Sequence, residues 1–330
     1  MSSGNGHGAP VVQSPPEEVA PLRGYVARLK TPRSYSSVRS LAIAIALFGV
    51  TLVSTLAVGA QFAQTYAAGK VPSLDDFFSS YVRFLREPRA LVAGIPFAAT
   101  LMGILLAHEL SHYFMCRRYH ILATYPYFIP APTLIGTFGA FIRIRSPIVN
   151  RKALFDVGIS GPIAGFILAV PAMALAILHS KIVPGVNASS APVFFGVPLL
   201  QRILTAMLRP GVSPTDLLLH PIARAAWVGL FATSLNLLPG GQLDGGHILY
   251  SFASESHRRV TIGVALALIP LAFFWLGWIL WSVLLLAIGF RHPPLMDRWE
   301  PLDSARRFYA AIGLAMFVLC FMPVPIVVNG

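Results

Sequence analysis

What most constrains this chain is a series of apolar runs long enough to cross a bilayer. A spanning helix needs about 20 apolar residues. Leu41–Ala63 supplies one with no charge, and Ala90–Met115 a second, interrupted by His108, Glu109 and His112. Phe155–Leu178, Pro221–Leu238 and Phe308–Val328 follow. Val260–Phe290 is uncharged throughout, long for one straight span and short for two, with Pro270 and Gly277 inside it. Composition agrees: 55% of the 330 residues are hydrophobic and 12% charged, and soluble domains carry roughly 25% charge. An ordinary soluble enzyme is excluded, and so is disorder over the whole length.

The net charge of +12 would suggest nucleic acid in a soluble protein. In a chain built from spans it is read as basic loops facing the cytoplasm and its anionic lipids. The partners expected are therefore the lipid bilayer and no nucleic acid. Residues 1–40, rich in Gly, Ser and Pro and carrying Arg23, Arg28, Lys30, Arg33 and Arg39, read as a disordered basic cytoplasmic tail. No apolar run opens the chain, so a cleaved signal peptide is not expected. Arg117, Arg118, Arg143, Arg145, Arg151 and Lys152 place the segment after the second run on the cytoplasmic side too. Arg291, Arg298, Arg306 and Arg307 favour a further cytoplasmic loop, which makes Val260–Phe290 a bent hairpin. The expected fold is an all-α polytopic membrane protein of about six or seven transmembrane helices, occupying residues 41–330. The location expected is a cytoplasmic (inner) membrane, with the N-terminus cytoplasmic.

Tyr125–Ser146 is neither span nor plain loop. Its prolines forbid a continuous helix. Gly136, Thr137, Phe138 and Gly139 form a turn signal, and Phe141–Arg145 alternates with the period of a strand. An apolar hairpin beside a membrane must be shielded by protein or dip into a cavity. We therefore expect a re-entrant β-hairpin-like loop, either purely structural or with an edge that captures substrate.

His108-Glu109-Leu110-Ser111-His112 is an HExxH motif. Residues four apart share a helix face, so both imidazoles can reach one ion while Glu109 sits on the flank, where it meets a water. A carboxylate inside a span is costly and usually functional. Catalytic zinc takes three protein ligands and one open position. Among the seven Asp, Asp75, Asp76, Asp216, Asp297 and Asp303 lie in loops. Asp156 sits beside Arg151 and Lys152 as a cap or ion-pair partner. That leaves Asp244, in the segment Asn236–His247 after the fourth run, on the side where His112 ends the second.

The HExxH in one span with Asn236-x-x-Pro239-x-x-x-Leu243-Asp244-Gly245 after another resembles the site-2 protease family of intramembrane zinc metalloproteases. The resemblance covers about residues 90–250 and includes Ser160-Gly-Pro-Ile-Ala-Gly165 in the intervening span. It implies one Zn2+ per chain held by His108, His112 and Asp244, with Glu109 as catalytic base and the site toward the cytoplasm. It implies a substrate that is a membrane-anchored protein, and a role for Asn236 in holding that substrate or polarising its carbonyl. Asn236 could equally cap the broken end of its own helix. Many members carry a PDZ domain between core spans, and the loop Ser180–Leu219 is too short for one. A structural zinc site and a metal transporter are the competing readings. Trp275, Trp278 and Trp281 read as an interfacial or packing face, His247 as a supporting residue rather than a ligand, and Cys116 and Cys320 as small buried hydrophobes.

Overall fold

The structure is a computed structural model. It describes residues 38–73, 75–76, 81–82, 86–148, 150–186, 193–289, 292–293, 295, 297 and 301–328. The basic tail expected over residues 1–40 lies outside the described residues except for its last three, which open the first helix.

The chain is mostly helical. Helix α1 is Val38–Ala67. A 3-10 turn, Pro88–Gly94, runs directly into α2, Ile95–Arg118. Helix α3 is Arg151–His179. Together with the 3-10 turn, these are the three described helices long and apolar enough to cross a membrane: Val38–Ala67, Pro88–Arg118 and Arg151–His179. Arg117 and Arg118 stand in the last turn of α2, where cations complement the helix dipole. The N-cap of α3 is Asn150, whose side chain accepts from the Ala153 N–H at 2.8 Å. Asp156 is no cap. Its carboxylate is bound by the Arg306 guanidinium and the Tyr119 hydroxyl. The ion-pair partner thus comes from a helix 150 residues away rather than from Arg151 or Lys152.

Between α2 and α3 two short strands pair, with a turn other than the one expected. Strand β1, Tyr127–Pro130, pairs antiparallel with β2, Thr137–Phe141. Gly136 closes the turn over residues 131–136, with its N–H on the Thr133 carbonyl at 3.2 Å and φ +85. Thr137, Phe138 and Gly139, expected to turn, instead begin the strand, because Pro130 and Pro132 already break the chain ahead of them. Beyond Phe141 the chain stays extended. The Thr124 N–H donates to the Arg143 carbonyl at 3.0 Å and the Arg145 N–H to the Leu122 carbonyl at 2.7 Å.

The segment after α3, expected to be a plain loop, holds short elements: β3 (Lys181–Ile182), β4 (Val193–Phe195), α4 (Leu199–Leu208) and β5 (Leu217–Leu218). β3 pairs with β5, and β4 pairs with β6 (Ile326–Val328) at the C-terminal end. Helix α5 is Pro221–Asn236, α6 is Asp244–Phe252, α7 is His257–Leu271, α8 is Gly277–Gly289 and α9 is Ser304–Cys320. At 1.5 Å per residue, α5, α7, α8 and α9 measure about 20–26 Å, short of the ~30 Å hydrocarbon core. Val260–Phe290 thus divides into two helices that pack together, with the Ser282 hydroxyl on the Ala265 carbonyl at 2.8 Å. Trp278 is buried there and donates to the Pro323 carbonyl at 2.7 Å, a packing role as expected. Both cysteines are buried and free.

The core is apolar and formed chiefly by α2, α3 and α5, with Phe97, Leu101, Met173, Ile177, Leu230 and Trp227 fully buried. Three helices packed this closely hold their polar side chains in fixed positions, because a close-packed interior leaves them no room to shift.

Candidate metal centre

Helix α2 presents His108 and His112 on one face, each only 6% exposed. Asp244 reaches them from the first turn of α6. That turn lies against the end of α5 because residue 245 is glycine: a methyl group there would run into the Leu237 and Leu238 carbonyls. The Asp-Gly-Gly sequence therefore lets a helix start hard against the end of its predecessor.

The three side chains converge. Asp244 Oδ2 is 3.1 Å from His108 Nε2 and Asp244 Oδ1 is 3.2 Å from His112 Nε2. The two Nε2 atoms are 3.1 Å apart. His112 Nδ1 lies 2.7 Å from the Val157 carbonyl of α3. A carbonyl only accepts, so Nδ1 carries the hydrogen and the Nε2 lone pair is turned to the centre. Helix α3 comes this near because residue 161 is glycine; a methyl group there would overlap the His112 ring.

A single proton cannot satisfy this arrangement. His108 Nε2 has one lone pair or one hydrogen, yet it faces His112, Asp244 and the Asn236 amide nitrogen at 3.1–3.3 Å. A cation that accepts both lone pairs and one carboxylate satisfies all three donors at once. Ligands about 2.0–2.1 Å from a tetrahedral zinc are separated by about 3.3–3.4 Å, close to the separations found. The buried Glu109 and the mostly covered Asp244 carboxylates also call for positive charge, since unpaired buried charge is strongly unfavourable. The donor set fits a divalent metal. It is also the one cluster of three or more His, Cys, Asp or Glu side chains among the described residues that could hold one.

The remaining predicted residues gather around it. Glu109 is buried beside the histidines, within hydrogen-bond reach of the Ile142 backbone N–H. Asn236, the last residue of α5, directs Nδ2 at His108 from 3.3 Å. A cavity of about 190 Å3 is lined by all five residues together with Phe141, Ile142, Ile144, Gln242 and His247. Phe138 and Gly139 border a second cavity of about 110 Å3, which shares His108, Glu109 and Asn236 with the first and is also lined by Trp281. Gly136 and Thr137 lie away from both. The Gly136 carbonyl accepts from the Ser54 hydroxyl at 2.6 Å, and the Thr137 hydroxyl donates to the Ile129 carbonyl at 2.8 Å.

Three features escaped the sequence reading: the Val157 carbonyl, the Ile142 N–H and Gln242. The first two are backbone groups and carry no residue-type signal. Gln242 lies inside the Asn236–Asp244 motif, and its two-residue distance from the ligand was the available clue.

The sequence pattern of peptidase family M50 matches residues 96–277, more than half of the chain. The chain is similar to "Probable zinc metalloprotease EGY1, chloroplastic" of Arabidopsis thaliana, with 31% identity over 246 residues, 70% of this chain and 43% of the relative. It is similar to "Probable zinc metalloprotease EGY2, chloroplastic" of Oryza sativa subsp. indica, with 28% identity over 299 residues, 86% and 50% of the two chains. It is also 26% identical over 326 residues, 93% and 50%, to "Probable zinc metalloprotease EGY3, chloroplastic" of Oryza sativa subsp. japonica. The chain spans about half the length of the curated relatives it matches. No solved structure matches it.

Proposed function

The chain belongs to peptidase family M50, and from that premise we propose that it is a zinc metalloprotease cutting membrane-anchored proteins within or near their spans. The observation that carries the proposal is the convergence of His108, His112 and Asp244 at 3.1–3.2 Å, with Glu109 beside them in a cavity. His108, His112 and Asp244 would hold a zinc ion, which when bound would supply a Lewis acid that lowers the pKa of water to about 7 and polarises a carbonyl. Glu109 takes the water proton and later passes it to the leaving amine. Its place by the Ile142 N–H keeps its carboxyl turned to the same cavity. Asn236 donates to the developing oxyanion, a role that contributes about 3 kcal/mol in a soluble protease. Asn236 lines both small cavities, which supports that role over a plain helix cap.

The substrate must unwind before its carbonyls can be reached. The Arg143 carbonyl and the Arg145 N–H are taken up by residues 122–124. In an extended chain the Ile142 carbonyl and both backbone groups of Ile144 then point the other way, toward the cavities, the Ile142 N–H being taken by Glu109. Strand addition on this edge would hold the unwound segment. Ile142 and Ile144 close the Gly136–Ile144 stretch in which the sequence suggests such an edge.

We read α5, the α7–α8 pair and α9 as membrane-embedded too, giving six spans with the pair counted as a bent hairpin. The basic loops orient the site and the N-terminus to the cytoplasmic side. The relatives are named as chloroplastic, so the host membrane is a separate question from this orientation. A structural zinc site needs a fourth protein ligand, and none joins the cluster among the described residues.

Zinc content and product analysis together test the proposal. The purified protein should hold about one zinc, and Asp244→Asn should hold almost none. Mass spectrometry of a cleaved single-span substrate should place the cut within or next to its apolar stretch. Zinc retained in the Asp244→Asn protein, or a cut confined to soluble loops, would overturn the assignment.

A further inference from the structure

His247 stands where two cavities meet. It lines the 190 Å3 cavity with the metal cluster and also a larger one of about 690 Å3. The two share Phe141, Ile142, Ile144 and Gln242. The larger cavity is walled on one side by Pro293 and Leu295.

His247 is held from that loop. His247 Nδ1 lies 2.8 Å from His292 Nε2, and His292 Nδ1 lies 2.8 Å from the Pro293 carbonyl. The carbonyl only accepts, so the hydrogen of His292 is on Nδ1. A neutral imidazole has one N–H, so His292 Nε2 accepts and His247 Nδ1 must donate. Burial pushes the His292 pKa down to about 4, which keeps the ring neutral at physiological pH. The ring is fixed in place as well. It stacks on Tyr250 with centroids 4.0 Å apart and meets the edge of His257, whose Nε2 donates to the Gly241 carbonyl at 3.0 Å.

This order of hydrogens leaves His247 Nε2 with a bare lone pair. Among the described residues nothing donates to it. Val157 fixes His112 by the same device, but His247 stands outside the metal cluster. An extended peptide bonded to the Ile142–Ile144 edge turns every second N–H and C=O away from that edge. Those outward groups would need partners in the shared passage, where His247 and the exposed Gln242 side chain are found.

We propose that His247 is a substrate-binding residue: fixed in one tautomer by His292, it accepts a hydrogen bond at Nε2 from an outward backbone N–H of the bound peptide. His292 is a positioning residue that acts through His247. The proposal rests on the protease reading for its ligand, but the tautomer it requires exists without any peptide.

Two measurements test it. Nitrogen-15 NMR of the histidine-labelled, zinc-loaded protein in detergent should show His247 protonated at Nδ1 only, with a coupling across the hydrogen bond to His292 Nε2. His292→Phe should abolish the coupling. Protonation of His247 at Nε2 would overturn the assignment whatever the protein cleaves. The second measurement uses zinc-loaded Glu109→Gln protein, which should bind a substrate without cutting it. The probe is a synthetic single-span peptide and its analogues with one backbone amide replaced by an ester. One ester position should weaken binding about 3- to 10-fold. That loss should vanish when His247→Phe is added and persist in part with His247→Gln. Equal sensitivity at every position with and without His247, or loss of zinc in His247→Phe, would overturn the proposal. Failure of every peptide to bind would count against the protease reading, while the tautomer measurement would still decide the state of His247.

Discussion

At His112 the imidazole is held from two sides. The Val157 carbonyl fixes its hydrogen on Nδ1, and the bare Cα of Gly161 gives the ring its room. Neither group touches the metal position itself. Gly161→Ala should therefore act on the metal through the ring: the added methyl must push the ring or the helix aside. We expect zinc affinity to fall 10- to 100-fold and cleavage by at least roughly 100-fold. Helical content by circular dichroism should stay unchanged. Full zinc occupancy and full activity in that variant would show that α3 can yield at no cost. At this scale the sequence was most legible. The HExxH spacing and the Asn236–Asp244 motif single out the three side chains that the structure brings together, because metal chemistry restricts residue type. Asp156 was less legible, since its partner Arg306 comes from α9 and no local pattern marks that pairing.

Among the elements, the hairpin and its extension carry the substrate argument. Ile144→Pro removes one N–H on the cavity side. It spares the bonds of Arg143 and Arg145 to residues 122–124, and a residue before proline favours the extended conformation already present. We expect zinc content to be kept and kcat/KM to fall about 10-fold or more, mainly through KM. Ile144→Ala, which keeps the N–H, should lose much less. If both variants cleave as the native chain does, the edge does not hold substrate. Helix α9 offers a pH test away from the metal. Asp303 caps it, accepting from the Arg306 N–H at 2.9 Å and pairing with the Arg306 guanidinium. The Arg306 backbone N–H, reinforced by the guanidinium, holds the Asp303 carboxyl below the usual carboxylate range. A carboxyl whose pKa is lowered on folding stabilises at pH values above its unfolded pKa. That contribution is lost as the pH falls through its folded pKa. Hydrogen-exchange protection in the first turn of α9, taken relative to the intrinsic exchange rate at each pH, should therefore fall below about pH 4 in the native chain. In Asp303→Asn that protection should not change over the same range. The turn position was misjudged from the sequence. A pair of glycines marks a possible turn, but Pro130 and Pro132 decide where the chain actually breaks.

For the whole molecule, the His108–His112–Asp244 cluster joins α2 to α6, and His112 joins α2 to α3. A ligand that binds only the folded chain stabilises it by mass action, about 2.7 kcal/mol at a free concentration 100 times its Kd. Removing zinc with a chelator should therefore lower the thermal midpoint in detergent by several degrees. Returning zinc should restore it, and His108→Ala should abolish the response. A midpoint insensitive to chelator in the native chain would mean that the cluster holds no metal. The membrane character was plain from composition and run length, but the number of full-length helices was not. Pro239, Pro270 and the Ala272–Leu276 break set helix ends that an apolar run does not reveal. The pairing of β4 with β6 joins segments more than 130 residues apart. No local periodicity encodes such a contact, because it depends on how the helices between them pack.

In the proposed mechanism Glu109 moves protons beside a zinc ion that it does not ligate. The measurement to make is zinc content and cleavage of a single-span substrate in detergent, on the same samples of the native chain and Glu109→Gln. Equal zinc is expected in both proteins, with cleavage in the native chain and a loss of several orders of magnitude in the variant. Zinc lost along with activity would make Glu109 a ligand, and cleavage that survives the substitution would rule it out as the base.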